Sequence, residues 1–133
     1  MNKIKEGDIF ETQVEFSTSG NACIKVDGKE IFIHKKKTAN ALHLDTARVE
    51  IFQGQKKLEG KVLETTSRFK TEFVGTAQVK NETIFVVPDS SKMAVDFYIK
   101  GKSDVENGQK VLVEFLDWDI DKKSPRGKII KIL

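Results

Sequence analysis

The sequence predicts an all-β protein built of two consecutive five-stranded barrels, and two observations lead to that prediction. The 133 residues form short runs of alternating apolar side chains separated by turn signals, and only residues 35–44 have a helix-compatible spacing. The second observation is an internal repeat. The strand at residues 30–34 recurs at 96–100, and a Val-Glu pair follows each copy at a similar distance, at Val49 and at Val113.

The first half contains five predicted strands, at residues 10–16, 22–26, 30–34, 45–52 and 58–63. Asp27-Gly28 is a strong signal for a two-residue hairpin, so the first three strands are predicted to form a meander. The brief helical connection at 35–44 would bury Ala41 and Leu42.

The second half repeats this order, with predicted strands at residues 73–79, 83–87, 96–100, 110–116 and 128–133. Two sets of five short strands are typical of barrels of the OB type. We therefore expect a first domain at residues 9–68 and a second at 69–133. A single ten-stranded sandwich is the structural alternative.

Both copies of the repeated strand carry unlike faces, because side chains alternate along a strand. Ile31 and Ile33 point one way, whereas Phe32 and His34 point the other. A core needs only the first face. An aromatic ring beside a basic group suits a nucleic-acid base and a phosphate, although an amphipathic strand with an incidental exposed ring has the same pattern.

The second copy and its neighbouring strand add more residues to this candidate surface. Thr83 and Phe85 would share a face with Tyr98 and Lys100, and the paired strands would bring the two rings close enough to flank successive bases. The three lysines at residues 35–37, directly after the first copy, could contact the phosphates or form a solvated loop. The candidate nucleic-acid-binding residues are Phe32, His34, Lys35, Phe85, Tyr98 and Lys100.

Composition limits the partners and the compartment. Lys and Arg number 23 against 20 Asp and Glu, a net charge of +3, so a nucleic-acid partner must be argued from where the charges lie. The sequence has no apolar run of 18 residues and no basic-then-apolar leader, so we expect neither a membrane span nor a secretory signal. The single cysteine, Cys23, fits a reducing compartment. We expect a cytoplasmic monomer.

Residue types for catalysis or metal binding lack a usable arrangement. The acidic run at 117–121 imitates the start of a calcium loop, but Lys122 stands where glycine is needed and Lys128 where the bidentate glutamate should be. His34 and His43 have neither a nucleophile nor a metal-ligand spacing beside them. We predict no catalytic residue, no metal site and no cofactor in this chain.

The second half resembles the cold-shock domain next to the catalytic domain in the ribonuclease R and ribonuclease II exoribonucleases. The matching positions fall in family order: residues 73–76, 85–89 and 96–99, then Trp118, Pro125, Gly127, Ile132 and Leu133.

The first half is similar to the preceding cold-shock domain of these enzymes, but less completely. Residues 30–34 follow the second RNA-binding motif of the family, and residues 41–45 follow its Ala-Leu-His-Gly-Asp run, with Leu44 where glycine is usual. The first motif, Gly-Phe-Gly-Phe-Val, is represented by residues 20–24, where both aromatics are missing. We therefore expect the second barrel to carry more of the base stacking.

The resemblance implies two consecutive cold-shock domains that guide single-stranded RNA to a catalytic domain of the same polypeptide, starting just beyond Leu133. It also implies that the full-length protein is a 3′-to-5′ exoribonuclease with Mg²⁺ in that catalytic domain, whereas this chain alone is not an enzyme. Two alternatives remain at this stage. The chain could be a stand-alone RNA chaperone of cold-shock type, or a protein-interaction OB module that has lost RNA binding.

Overall fold

The computed structural model describes residues 4–101 and 103–133. The chain divides into two compact units, Met1–Phe69 and Lys70–Leu133. The first unit contains β1 (Ile9–Gln13), β2 (Glu15–Phe16), β3 (Ala22–Val26), β4 (Lys29–Ile33), β5 (Thr46–Gln53) and β6 (Leu58–Ser67). They form one sheet in the order β1-β5-β6-β4-β3-β2.

The predicted strand at residues 10–16 is divided at Val14, which is why the first unit has six strands and not five. The Val14 N–H donates to the Asp45 carbonyl at 2.8 Å, and the Val14 carbonyl accepts from the Leu44 N–H at 2.8 Å. β1 pairs with β5 and β2 pairs with β3, so one interrupted segment supplies both ends of the sheet. The interruption lets the chain pass from one neighbour to the other.

The hairpin between β3 and β4 is formed by the predicted two-residue turn. Asp27 and Gly28 have φ values of 50° and 79°, and Val26 pairs with Lys29 across the turn. Positive φ at both central residues defines the type I′ turn, whose twist matches that of the flanking strands. This local prediction from Asp-Gly is confirmed.

The helical prediction for residues 35–44 is wrong for most of its length. Only a 3₁₀ turn, Lys35–Lys37, is helical. Ala39 and Leu44 have φ values of 48° and 71°, in the left-handed region, which a right-handed helix cannot contain. Ala41 and Leu42 are nevertheless buried, at 3% and 4% exposure, so the apolar spacing identified the correct side chains but not the backbone conformation.

The second unit is a closed barrel of five strands, β7 (Glu72–Lys80), β8 (Thr83–Pro88), β9 (Phe97–Ile99), β10 (Lys110–Asp117) and β11 (Arg126–Ile132). Their order is β10-β11-β9-β8-β7, and β7 pairs with β10 to close it. When β1 and β2 are taken as one interrupted strand, the first unit has the same order. The predicted all-β class with OB-like barrels is confirmed, and the sandwich alternative is excluded for the closed second unit.

The alternating apolar residues form the interior of each unit. In the first unit Ile31, Ile33 and the β5 residues Ala47, Val49 and Ile51 are buried. In the second, the members of this interior are Phe73, Ala77, Ile84, Val86, Phe97, Ile99, Val111 and Val113. Removal of this apolar area from water is the main stabilising contribution to such small domains.

Corresponding glycines let the third strand approach the last strand of each unit. Ile33 pairs with Gly60 in the parallel β4–β6 ladder, and Ile99 pairs with Gly127 in the parallel β9–β11 ladder. A Cβ on Gly60 would lie 2.8 Å from Val49 Cγ1, and one on Gly127 would lie 2.5 Å from Val113 Cγ1. The interior has no room for a side chain at either position.

Candidate RNA-binding faces

The second unit places Phe85 and Tyr98 opposite each other on neighbouring strands, as the alternation predicts. The two residues are direct partners in the antiparallel β8–β9 ladder. Their ring centroids are 5.6 Å apart and their planes are 71° from parallel. Tyr98 is 42% exposed while its neighbour Phe97 is fully buried, so Tyr98 points out of the barrel. The two rings therefore meet edge to face and are not stacked on each other.

Charged groups border this pair of rings. Lys100 lies just past the end of β9 and is exposed, as is Arg126, which pairs with Tyr98 in the parallel β9–β11 ladder. Arg126 Nε donates to Asp117 Oδ1 at 2.6 Å, and its Nη2 also contacts that carboxylate. The hydrogen bonds from Arg126 lower the pKa of Asp117, and the charge of Lys100 adds to this effect. Arg126 was not among the predicted residues, since only the strand register brings it beside Tyr98.

The first unit places Phe32 and His34 together on the outside of β4. Their ring centroids are 6.4 Å apart in an edge arrangement with planes at 73°. His34 Nδ1 accepts a hydrogen bond from the Lys36 N–H at 3.1 Å, and the Lys35 N–H donates to Asn21 Oδ1 at 2.9 Å. These contacts fix the 3₁₀ turn next to the rings. The exposed Lys35 side chain therefore begins at a defined position beside the candidate face.

The sequence reasoning missed an additional ring in the first unit. Phe52, at the end of β5, is half-buried, and its ring lies 5.2 Å from Lys37 Nζ. An ammonium group at this distance from an aromatic centroid is attracted by the face of the ring. Lys57 has a similar position, with Nζ 5.9 Å from the Phe32 centroid. The regular alternation of β5 predicts that Phe52 points away from the core, but not that it joins the face of β4.

Cys23 lies opposite Phe32 in the β3–β4 ladder, where the resembled family has an aromatic residue. Burial raises the pKa of its thiol, and the neighbouring carboxylates of Glu30 and Glu15 raise it further. A raised pKa disfavours the thiolate, which is the nucleophilic form. Cys23 therefore has the environment of a small strand residue and not that of a reactive thiol.

The acidic segment after β10 is closed by hydrogen bonds of its own. The Asp121 N–H donates to Asp119 Oδ1 at 3.1 Å, and Trp118 Nε1 donates to the Lys122 carbonyl at 3.0 Å. Throughout residues 4–101 and 103–133, no three His, Cys, Asp or Glu residues come together as a metal site would require. Over the same residues no helix is long and apolar enough to cross a membrane.

These features define the class of small β-barrel domains that display aromatic and basic side chains on an outer face. The cold shock domain family matches residues 85–133. More particularly, the chain is 33% identical over 131 residues to ribonuclease R of Thermotoga maritima. The alignment includes 95% of this chain and 18% of that protein. The resemblance to the N-terminal cold-shock region of ribonuclease R, predicted from the motifs, is confirmed.

Solved structures share the fold at low sequence identity. The apo form of Mycoplasma genitalium RNase R superposes with a TM-score of 0.81 at 13% identity over 93% of this chain and 21% of that one. The same protein in complex with ribose-methylated single-stranded RNA gives 0.76 at 15% identity, over 93% and 21%. Yeast Ssd1, described as a pseudonuclease, gives 0.77 at 15% identity over 94% and 23%. This chain spans about a fifth of the length of these proteins.

Proposed function

We propose that this chain is the single-stranded RNA-binding portion of a ribonuclease R-like 3′-to-5′ exoribonuclease. Its two cold-shock-like domains, residues 9–68 and 69–133, guide RNA toward a catalytic domain of the same polypeptide. The residues proposed to contact RNA are Phe32, His34, Lys35, Phe85, Tyr98 and Lys100. Binding by this portion requires no cofactor, and Mg²⁺ belongs to the catalytic domain.

The observation that carries the proposal is the outward-facing pair of Phe85 and Tyr98. The two rings lie on adjacent strands with 5.6 Å between their centroids. They face outward, although an ordinary barrel buries large aromatic side chains in its core. Stacking of a base on an aromatic ring contributes roughly 1–3 kcal/mol and tolerates any base. Two exposed cations lie near Tyr98, since Arg126 pairs with it in the β9–β11 ladder and Lys100 follows it by two residues in the chain.

The comparisons support the same partner. One solved relative with this fold, Mycoplasma genitalium RNase R, is a complex with single-stranded RNA. The Thermotoga relative aligned over nearly the whole chain is a ribonuclease R. The fold also occurs in yeast Ssd1, a pseudonuclease, so the barrels themselves do not require an active nuclease beside them.

The test is a titration of labelled RNA at several salt concentrations. Single-stranded RNA should bind more tightly than a blunt duplex of the same length, because bases must be unstacked to reach the aromatic rings. With a net charge of only +3 we expect a shallow salt dependence, at a slope of about −0.7 per phosphate contact. No binding of either RNA would instead favour a protein-interaction module, and equal affinity for the duplex would remove the stacking argument.

A second experiment tests the assignment of catalysis to another domain. Purified chain incubated with labelled single-stranded RNA and Mg²⁺ should release no nucleotides, since phosphodiester cleavage in the resembled enzymes depends on aspartates that hold divalent metal. A nuclease-active ribonuclease R is the positive control. Processive shortening of the RNA by this chain would overturn the assignment.

The remaining expectations concern the whole protein. We infer a cytoplasmic monomer, with the catalytic domain encoded downstream of Leu133. Translation of the reading frame past Leu133 separates this proposal from a stand-alone RNA chaperone, which needs no such domain. Size-exclusion chromatography with light scattering checks the monomer, for which the expected mass is 15.0 kDa.

A further inference from the structure

The first unit has a wider aromatic face than its sequence motif indicates. Ile33 and Ile51 both pair with Gly60, one from each side of β6, and both isoleucines are buried. Side chains of adjacent residues on a strand point to opposite faces. Phe32 on β4 and Phe52 on β5 therefore both emerge on the outside of the same three strands.

The spacing of the two rings suits an extended strand of nucleotides. β6 lies between β4 and β5, and neighbouring strands are about 4.8 Å apart, so the two positions are separated by roughly 10 Å. Glu59 lies between them, because it pairs with Phe52 in the β5–β6 ladder. Phe52, Glu59 and His34 line an open depression together with Lys36, Lys37, Gln53, Gly54 and Gln55.

Each ring has a lysine ammonium group beside it. Lys37 Nζ lies 5.2 Å from the Phe52 centroid and Lys57 Nζ lies 5.9 Å from the Phe32 centroid. Both lysine side chains are exposed, so they can swing from the ring to a phosphate without crossing protein. The ring can stack on the base of one nucleotide, and the adjacent ammonium group can bind its phosphate.

The second unit lacks this arrangement. Phe52 pairs with Glu59 just beside the Gly60 position, and the corresponding pair beside Gly127 is Asp117 with Arg126. That carboxylate and guanidinium are hydrogen-bonded to each other. The ring at Phe52 is therefore a feature of the first unit alone.

The geometry points to Phe52 as a further base-stacking position for single-stranded RNA, with Lys37 binding the adjacent phosphate. This inference rests on the proposed function and extends the binding face of the first unit across β6. RNA on this unit crosses from Phe32 to Phe52 and does not follow β4 alone.

The test compares Phe52→Leu with Phe69→Leu in the whole chain, using a labelled single-stranded oligonucleotide. Phe69 is a matched control, because it is 57% exposed, belongs to the same unit and loses a ring in the same way. Loss of one stacked base should weaken binding by about fivefold or more in Phe52→Leu. Phe69→Leu should bind like the unchanged protein. Melting temperatures of both variants establish that they are folded.

A charge variant tests the role of Lys37. Lys37→Gln should make the salt slope of RNA binding shallower by about 0.7, the contribution of one phosphate on a single strand. Lys92→Gln, which removes an exposed lysine in the loop between β8 and β9 of the second unit, is the matched control and should leave the slope unchanged.

Photocrosslinking keeps the inference testable even if Phe52→Leu fails to fold. Unchanged protein irradiated with 5-bromouridine RNA should give a crosslinked peptide that contains Phe52, besides one that contains Tyr98. If the protein binds RNA but Phe52→Leu is unaffected, or the Phe52 peptide is never crosslinked, the inference is overturned and the proposed function stands. If the unchanged protein binds no RNA, the proposed function itself fails.

Discussion

The two units form the same corner before their fourth strand from different residues. In the first unit the Leu42 N–H donates to Asp45 Oδ2 at 2.8 Å, and the Phe16 N–H donates to His43 Nδ1 at 2.9 Å. The Leu44 N–H closes the corner onto the interrupted first strand. Every one of these bonds satisfies a backbone donor that the bend would otherwise leave without a partner.

The second unit repeats these bonds one by one. The Glu106 N–H donates to Gln109 Oε1 at 2.7 Å, and the Val79 N–H donates to Asn107 Oδ1 at 2.9 Å. The Gly108 N–H donates to the Ala77 carbonyl at 2.8 Å. His43 of the first corner corresponds to Asn107 of the second, and Asp45 corresponds to Gln109. The comparison shows that acceptor position, and not residue identity, is what the repeated corner requires.

The corners differ in the burial and the additional hydrogen bonds of the side chain at Asp45 and at Gln109. Asp45 is 1% exposed, and it also accepts from the Phe69 N–H at 2.9 Å and from Arg68 Nη1 at 2.5 Å. It thereby ties the end of the first unit to the corner. Gln109 is neutral and only half-buried, and it lies directly before the start of β10. At this corner the first unit consequently depends on a buried charge, whereas the second uses a neutral side chain.

The largest expected effect comes from removing that charge. Asp45→Ala should destabilise the first unit by about 3–5 kcal/mol, because it removes the buried carboxylate that pairs with Arg68 and accepts from two backbone N–H groups. Gln109→Ala should cost the second unit only about 1 kcal/mol, the usual net value of one hydrogen bond. Hydrogen exchange read separately over peptides from the two units, in increasing denaturant, measures both. Equal losses would show that the buried ion pair adds nothing beyond the shared corner.

A smaller effect is expected where the third and last strands meet. Gly60→Ala and Gly127→Ala should each cost about 1–3 kcal/mol by overpacking. Gly127→Ala should cost more, since its Cβ would be 2.5 Å from Val113 Cγ1 against 2.8 Å from Val49 Cγ1 for Gly60→Ala. Trp118, the single tryptophan, reports unfolding of the second unit by fluorescence. Gln78→Ala on the exposed side of β7 is a control that should change stability by less than about 0.5 kcal/mol.

RNA affinity provides a third way to sharpen the comparison. Tyr98→Leu should weaken binding to single-stranded RNA by about fivefold or more, with the salt slope little changed. Phe32→Leu should have a smaller effect, because Cys23 and not a second ring lies opposite Phe32, whereas Tyr98 lies opposite Phe85. Lys35→Ala should mainly reduce the salt slope. If Tyr98→Leu lowers the melting temperature while the folded variant keeps its affinity, Tyr98 is a packing residue and its stacking role is rejected.

The smallest effect concerns the left-handed residue of each corner. Leu44 has a φ of 71° and Gly108 a φ of 91°, a conformation that costs an L-residue about 1–2 kcal/mol. Gly108→Ala should destabilise the second unit by about 1 kcal/mol. Leu44→Gly should gain the first unit about 0.5 kcal/mol, because relief of this strain is partly offset by the greater freedom of glycine in the unfolded chain. Thermal unfolding of the paired variants measures the difference, and a loss of stability in Leu44→Gly would mean that the contacts of the Leu44 side chain outweigh its strain.

Sequence alone determined the features that depend on near neighbours in the chain. Alternation fixed which residues of β4 and β9 are buried, and Asp27-Gly28 predicted the hairpin. These are consequences of backbone sterics and of the two-residue period of a strand, so a short window of sequence contains them. The pairing of Phe85 with Tyr98 also followed, because a hairpin-like order makes the two strands neighbours.

Tertiary structure decided the features that depend on distant partners. Phe52 joins the face of Phe32 only because β6 lies between their strands, and Arg126 lies beside Tyr98 only through a parallel ladder. Residues 35–44 have a helical spacing, but the Leu42 N–H donates to the buried Asp45 carboxylate and not to a carbonyl of a helical turn. Local propensity is worth a few tenths of a kcal/mol per residue, whereas a buried carboxylate without its donors costs several, so the distant contacts prevail.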